Sequence, residues 1–189
     1  MNRKRVLLVA GGSRERKFLR ESLKALGPLS FDYKCVYAQG VIESSYITAL
    51  ELSASHFDLV ISVGFCGGGR GFEISDVVMP CRSELEGLLP PVRLTTASEE
   101  GVVVKTSLPR LKHATLSDKD SYIYDSETYA VASVCSDFGV DCSSVRIVSY
   151  MIESESYLNE YNDGFKFITN FDSVVYAITS LLNKLNNER

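Results

Sequence analysis

The chain has 189 residues, 45% of them hydrophobic and 23% charged, with a net charge of −4. That is enough apolar material for one ordinary core over residues 1–189, and the acidic balance excludes the basic face of a nucleic-acid binder. No apolar run approaches the ~18 residues of a membrane span, and the first apolar segment is too short for a signal-peptide core, so a cytoplasmic protein is expected.

The predicted elements alternate. Arg5 to Ala10 is a continuous apolar run ended by Gly11-Gly12, the pattern of a buried parallel strand. Ser13 is placed to cap a helix with an apolar stripe of Phe18, Leu19, Leu23 and Leu26, stopped by Gly27-Pro28. Phe31 to Tyr37 reads as a second strand. Val41 to Ser53 reads as a helix with Ile42, Tyr46, Ile47 and Leu50 on one face. Phe57 to Val63 is another buried strand, followed by a Gly-rich turn from Gly64 to Gly69, and Ile74 to Met79 is a strand ended by Pro80. Cys81 to Pro91 is loop-like, because Pro90-Pro91 breaks helices. Short strands are expected at Val92 to Ala97 and Gly101 to Lys105, then an exposed polar segment from Pro109 to Asp120.

Order resumes at Tyr122 with a strand, an Asp125-Ser126-Glu127 turn, and a helix from Glu127 to Phe138. Ala130, Val131, Val134, Cys135 and Phe138 are its core face, and Gly139 ends it. Ser143 to Ser149 is the next strand, and Asp172 opens a last helix with Val174, Val175, Ile178, Leu181, Leu182 and Leu185 inside. The alternation predicts an α/β three-layer sandwich: a mixed, mostly parallel central sheet flanked by helices.

Five cysteines without a Cys-x-x-Cys pair read as reduced, mostly buried thiols, not a zinc site. His56 and His113 are too isolated for a metal site or a Ser-His-Asp triad. The basic cluster of Arg3 to Arg5 with Arg14, Arg16 and Lys17 reads as a solvated edge and helix face.

Three features carry chemistry. The glycines from Gly64 to Gly69 let backbone N–H groups approach a ligand, or make a tight connection between strands. They form neither a Walker loop nor a dinucleotide fingerprint. Glu15, in the first turn of the first helix, is a surface charge favoured by the helix dipole or a general base for water. The Asp125-Ser126-Glu127 turn is a helix cap or supplies a carboxylate placed to accept two hydrogen bonds from a sugar's adjacent hydroxyls. Ligands of α/β sheets sit beyond the carboxyl ends of strands. The end of the Tyr122 strand and the end of the next one, Ser149-Tyr150, are expected to point the same way and frame a pocket.

Taken in order, a strand with Gly-x-x-x-Glu, a strand with Gly-x-x-Gly-Gly and then Asp-Val-Val, and a strand with Asp-x-Glu, a helix and Val-Arg-x-x-Ser resemble the nucleoside phosphorylase superfamily. Within it, the chain is most similar to the methylthioadenosine/S-adenosylhomocysteine nucleosidases and futalosine hydrolases. The resemblance implies that Glu15 activates the attacking water. It places Gly64, Phe65 and Gly67 beside the ribose, although the family usually has a small hydroxyl residue where Phe65 stands. Ser126 falls where a Met packs under the ribose, and Glu127 where a Glu binds its hydroxyls. Val145, Arg146 and Ser149 match the closing strand, with Ser149 in the substrate-binding set. Tyr150 falls on the aspartate that protonates N7 of the leaving purine.

The implied reaction is loss of the base from an oxocarbenium-like ribosyl cation with water as acceptor, releasing adenine and using no cofactor. A general acid at position 150 contributes ~10²–10⁴-fold in such steps. A phenol, with an ordinary pKa of about 10, donates a hydrogen bond to N7 but is a poorer proton donor than a tuned carboxylic acid. Either Tyr150 serves, or a nearby carboxylate such as Glu153 or Asp163 does, or the chain is slow, altered in substrate or binding-only. A phosphorylase reading would recruit Arg70 and Arg82 for phosphate. The 5′ side of the substrate would meet Met151 to Phe167, where Tyr157, Tyr161, Phe165 and Phe167 line a slot or pack ordinarily. The resemblance also implies a homodimer.

Overall fold

Strand β1 (Lys4–Ala10) sets the layering. Its side chains alternate between two separate apolar clusters, Val6 and Leu8 in one, Leu7 and Val9 in the other. A strand buried on both faces belongs to a sheet covered by helices on both sides. The structure, a computed structural model, describes residues 3–25, 29, 31–85, 89–95, 101–106, 122–152 and 172–187. Helices α1 (Ser13–Ala25) and α4 (Asp172–Asn187) cover the first face, burying Leu19 and Leu23 from one and Val174, Val175, Ile178, Leu181 and Leu182 from the other. Each such burial contributes about 1.5–3 kcal/mol. Helices α2 (Gly40–Ala54) and α3 (Thr128–Phe138) cover the second face, α3 through Val131, Ala132 and Cys135. Gly139 ends α3 in the left-handed region at φ 65°, as its position predicts.

The remaining strands are β2 (Phe31–Tyr37), β3 (Leu59–Gly68), β4 (Val77–Val78), β5 (Arg82–Leu85), β6 (Leu89–Arg93), β7 (Val103–Thr106), β8 (Tyr122–Asp125) and β9 (Cys142–Met151). They form one nine-stranded sheet with the path β2-β1-β3-β8-β7-β5-β6, and β9 pairs with β3 and with β4. The pairings β1–β2, β1–β3, β3–β9, β5–β7 and β7–β8 are parallel; β3–β8, β4–β9 and β5–β6 are antiparallel. The expected three-layer α/β sandwich with a mixed, mostly parallel sheet is what forms.

Three local expectations about strands and turns are corrected. The glycines from Gly64 to Gly68 are not a turn: β3 runs straight through them, fully buried. Only Val77 and Val78 of the Ile74 to Met79 segment form a strand. Ahead of them Asp76 accepts the Glu73 N–H at 2.7 Å, and Ser75 takes φ 80°, which makes a turn of the first part. The segment read as a Pro-broken loop contains β5 and β6. Pro90 and Pro91 are tolerated because β6 ends the sheet and the β5–β6 register breaks across them, between the Ser83–Val92 and Leu85–Leu89 pairs.

Helix α2 has the predicted period but the opposite orientation. Ser44 and Thr48 are buried against the protein, while Ile42, Tyr46 and Leu50 are 86%, 65% and 50% exposed. Ile47 alone of the expected face packs against the core. Phe138, at the end of α3, is also exposed. The helix stop at Gly27-Pro28, Leu26, Ala97, the Pro109 to Asp120 segment and the aromatics from Tyr157 to Phe167 lie outside the described residues. Among the described residues no helix is long and apolar enough to cross a membrane.

Candidate active site

The length of β3 builds the site. Val63 lies opposite Ala10, the last residue of β1, and β3 continues beyond it through Gly64 to Gly68. Strand β8 returns antiparallel along that overhang, with Gly68 opposite Ile123 and Gly67 opposite Tyr124. The chain leaving β8 therefore arrives beside Gly11 at the end of β1. Strand β9 runs parallel to β3, so β8 and β9 run in opposite directions. The expectation that their ends point the same way is corrected: the pocket closes because the two approach from opposite sides. It is a cavity of about 350 Å³ lined by Gly11 to Glu15, Gln39, Phe65, Cys66, Tyr124 to Glu127 and Tyr150.

Behind its floor lies Arg146, with no exposed surface. A buried guanidinium requires partners, and it has them. Nη2 pairs with Asp125 Oδ2 at 2.7 Å and donates to Ser62 Oγ at 2.5 Å and Thr128 Oγ1 at 2.6 Å, while Nε donates to Thr128 Oγ1 at 3.0 Å. Asp125 also accepts the Thr106 hydroxyl at 2.7 Å, the Thr128 N–H at 2.9 Å and the Thr128 hydroxyl. Asp125 is thus the helix cap of the Asp-Ser-Glu triplet, locked in place. Arg146 Nη1 has no hydrogen-bond acceptor among the described residues, and lies 3.9 Å from Glu127 Oε2. Gly64 makes room for it: a Cβ there would stand 2.4 Å from Nη1.

The triplet therefore divides its work, and Glu127 is left facing the cavity. Its Oε1 accepts the N–H of Gly40, at the start of α2, at 3.2 Å, so the positive end of that helix faces the carboxylate. Burial, and then the neighbouring charge of Asp125, push its pKa up to about 7, against the opposing pull of Arg146 and backbone N–H groups. Glu15 is also buried and raised, by desolvation, with its own backbone N–H and Arg146 opposing. Both carboxylates flank Gly11: Glu127 Oε2 and Glu15 Oε1 lie 3.4 and 3.6 Å from where a Cβ on that glycine would stand. Two carboxyl groups of raised pKa lining one cavity can hold a polar oxygen and take a proton from it.

Of the residues singled out in sequence, Glu15, Phe65, Ser126, Glu127 and Tyr150 line this cavity. Gly64, Gly67 and Ser149 are not among its lining residues; they support it from behind. Strand β9 carries one extra residue here, since Cys66 faces Val148 but Gly67 faces Tyr150. The extra residue is Ser149, whose hydroxyl donates to the Cys66 carbonyl at 3.3 Å. This bulge re-aims the strand end and brings the Tyr150 ring against Gly67, where a Cβ would meet Cε2 at 2.6 Å. Glu153 and Asp163 lie outside the described residues. Arg70 is exposed, and Arg82 pairs with Glu84 at 3.1 Å on β5; neither lines the cavity, whereas Arg14 does. Among the described residues no cluster of His, Cys, Asp and Glu has metal-binding geometry.

No family model matches the chain, and no curated protein sequence does. Solved structures do. A Helicobacter pylori 5′-methylthioadenosine/S-adenosylhomocysteine nucleosidase mutant with 5′-methylthioadenosine in its active site matches with a TM-score of 0.71 at 16% identity, over 100% of both chains. A Helicobacter pylori futalosine hydrolase mutant matches at 0.72 and 15% identity, over 98% of this chain and 100% of that one. The Arabidopsis thaliana 5′-methylthioadenosine nucleosidase matches at 0.70 and 15%, over 99% and 96%. The fold is therefore the nucleoside phosphorylase fold of these nucleosidases, across the full chain.

Proposed function

We propose that the chain is a nucleosidase, hydrolysing the N-glycosidic bond of a purine nucleoside with water as acceptor. The observation that carries the reading is the convergence of Glu15 and Glu127 on Gly11 in the cavity, with Arg146 buried behind its floor. In this reading Glu15 holds the water and takes its proton as the oxygen adds to the anomeric carbon. Glu127 accepts the ribose hydroxyls; fixing the sugar in this way supplies several kcal/mol of the barrier. Phe65 and Ser126 border the sugar. Tyr150 faces the base and donates a hydrogen bond to it, with Glu153 the alternative acid. Hydrolysis is favoured over phosphorolysis because a phosphate dianion here would sit against Glu15, Asp125 and Glu127.

The adenine nucleosides named for the structural relatives are the first substrates to assay. Methylthioadenosine, S-adenosylhomocysteine and aminodeoxyfutalosine, incubated with and without phosphate, are expected to release adenine without it. Release that requires phosphate would sink the hydrolytic reading. Adenine binding by calorimetry with no release would make the chain a binding protein.

A homodimer built on α2 belongs to the same proposal. Ile42, Tyr46 and Leu50 recur at helical spacing on its exposed face, an apolar stripe of the kind that marks an interface. Sedimentation is expected to give a dimer for the wild type and a monomer for Tyr46→Lys. A wild type that stays monomeric at tens of micromolar rules the dimer out.

A further inference from the structure

We infer that Gln39 reads a third hydroxyl of the sugar, so that the preferred substrates are nucleosides with a free 5′-hydroxyl; the inference rests on the nucleosidase reading and narrows it. Gln39 lines the same cavity as Glu15 and Glu127. Its backbone is held from both sides. The Ala38 N–H donates to the carbonyl of Ala10, at the end of β1, at 3.0 Å, and the Gly40 N–H donates to Glu127 Oε1 at 3.2 Å. Its own N–H donates to Glu43 Oε2 at 2.8 Å. Gly40 takes φ 73°, in the left-handed region that favours glycine. The turn from β2 into α2 therefore sets residue 39 one position from the contact with Glu127.

Helix capping does not account for a glutamine here. Gln39 is the N-cap residue of α2, a position that favours Ser, Thr, Asp and Asn, whose short side chains reach the first N–H groups. Gln39 makes no side-chain cap hydrogen bond, and its backbone is extended at φ −114° and ψ 127°. The exposed side chain lines the cavity instead. The group it meets follows from the sugar. A ribonucleoside carries two adjacent hydroxyls, on C2′ and C3′, which are the pair assigned to Glu127. The remaining hydroxyl is on C5′, attached through C4′ next to that pair. A carboxamide both donates and accepts, and so does a hydroxyl. A thioether in its place is a weak acceptor and no donor. It would displace water from the amide and return little, and a polar group left without its partner costs affinity.

Adenosine, methylthioadenosine and 5′-deoxyadenosine form a series with a hydroxyl, a methylthio group and a hydrogen on C5′. Adenine release by the wild type and by Gln39→Leu is followed by chromatography under initial-rate conditions. The wild type is expected to show kcat/KM for adenosine about 10-fold above that for either of the others, the scale of one satisfied hydrogen bond. In Gln39→Leu that preference is expected to disappear, with methylthioadenosine gaining relative to adenosine. Each ratio is taken within one protein, so a smaller folded fraction in the variant cancels. Equal wild-type values across the series, or a higher one for methylthioadenosine, overturn the inference and leave the nucleosidase reading standing. A preference for adenosine that survives Gln39→Leu overturns the role of Gln39. No release from any of the three overturns the nucleosidase reading and this inference with it.

Discussion

Replacing Arg146 by methionine is expected to cost about 3–5 kcal/mol of stability, the range for breaking a buried ion pair by removing one partner. The side chain has no exposed surface, and Asp125, Ser62 and Thr128 all depend on it. Methionine fills much of the volume but leaves Asp125 with a buried charge that only Thr106 and Thr128 address. The origin of the loss can be read from a second substitution. Asp125→Asn in the Arg146→Met background is expected to recover part of it, because the stranded charge is gone, whereas Asp125→Asn alone destabilises. Denaturant midpoints of the four proteins close the cycle. A loss below about 1 kcal/mol for Arg146→Met, as at an exposed ion pair, would show that Arg146 does not hold β8, α3 and β9 together.

Arg146 is also the clearest case of a structural signal carried by the sequence. A lone arginine in β9 cannot be buried unpaired, and in the structure Asp125 and Glu127 meet it. The motifs did point to three residues that line the cavity: Glu15 in the first turn of α1, Glu127 just past β8 and Tyr150 just past the bulge in β9. What stayed hidden depends on partners distant in sequence. Glycines favour turns locally, yet Gly64 and Gly67 lie in a strand because Arg146 and Tyr150 need their missing side chains. The direction of β8 is fixed by pairing with β3, not by its own four residues. For α2 the apolar period was legible but not which side it faced, since Ser44 and Thr48 suit a close approach to α3 that no local rule requires. The contact from Gly40 to Glu127 spans 87 positions and has no sequence signature at all.

Glu127→Gln is expected to make the protein a poorer catalyst and, above neutral pH, a more stable one. Burial and Asp125 hold the Glu127 pKa up at about 7, from 4.5. A carboxyl group whose folded pKa lies above its unfolded one contributes stability below the unfolded value and loses it as pH rises through the folded value. The wild type is therefore expected to lose stability between about pH 4.5 and 7, by about 1–3 kcal/mol for this group. Glutamine stays neutral, and its carbonyl still accepts the Gly40 N–H, so the variant should lack that loss: near the wild type at low pH, more stable above pH 7. Activity should move the other way. If the ionised carboxylate accepts the ribose hydroxyls and faces the developing ribosyl cation, kcat/KM of the wild type climbs with pH through about 7. The variant loses that limb and about 10²-fold in rate, the cost of misplacing a reacting group. Gains in one property and losses in the other mark a group held against its own stability for function. A variant with full activity and an unchanged pH profile would remove Glu127 from the site, and one that is less stable at every pH would make its carboxylate a structural partner of Arg146 instead.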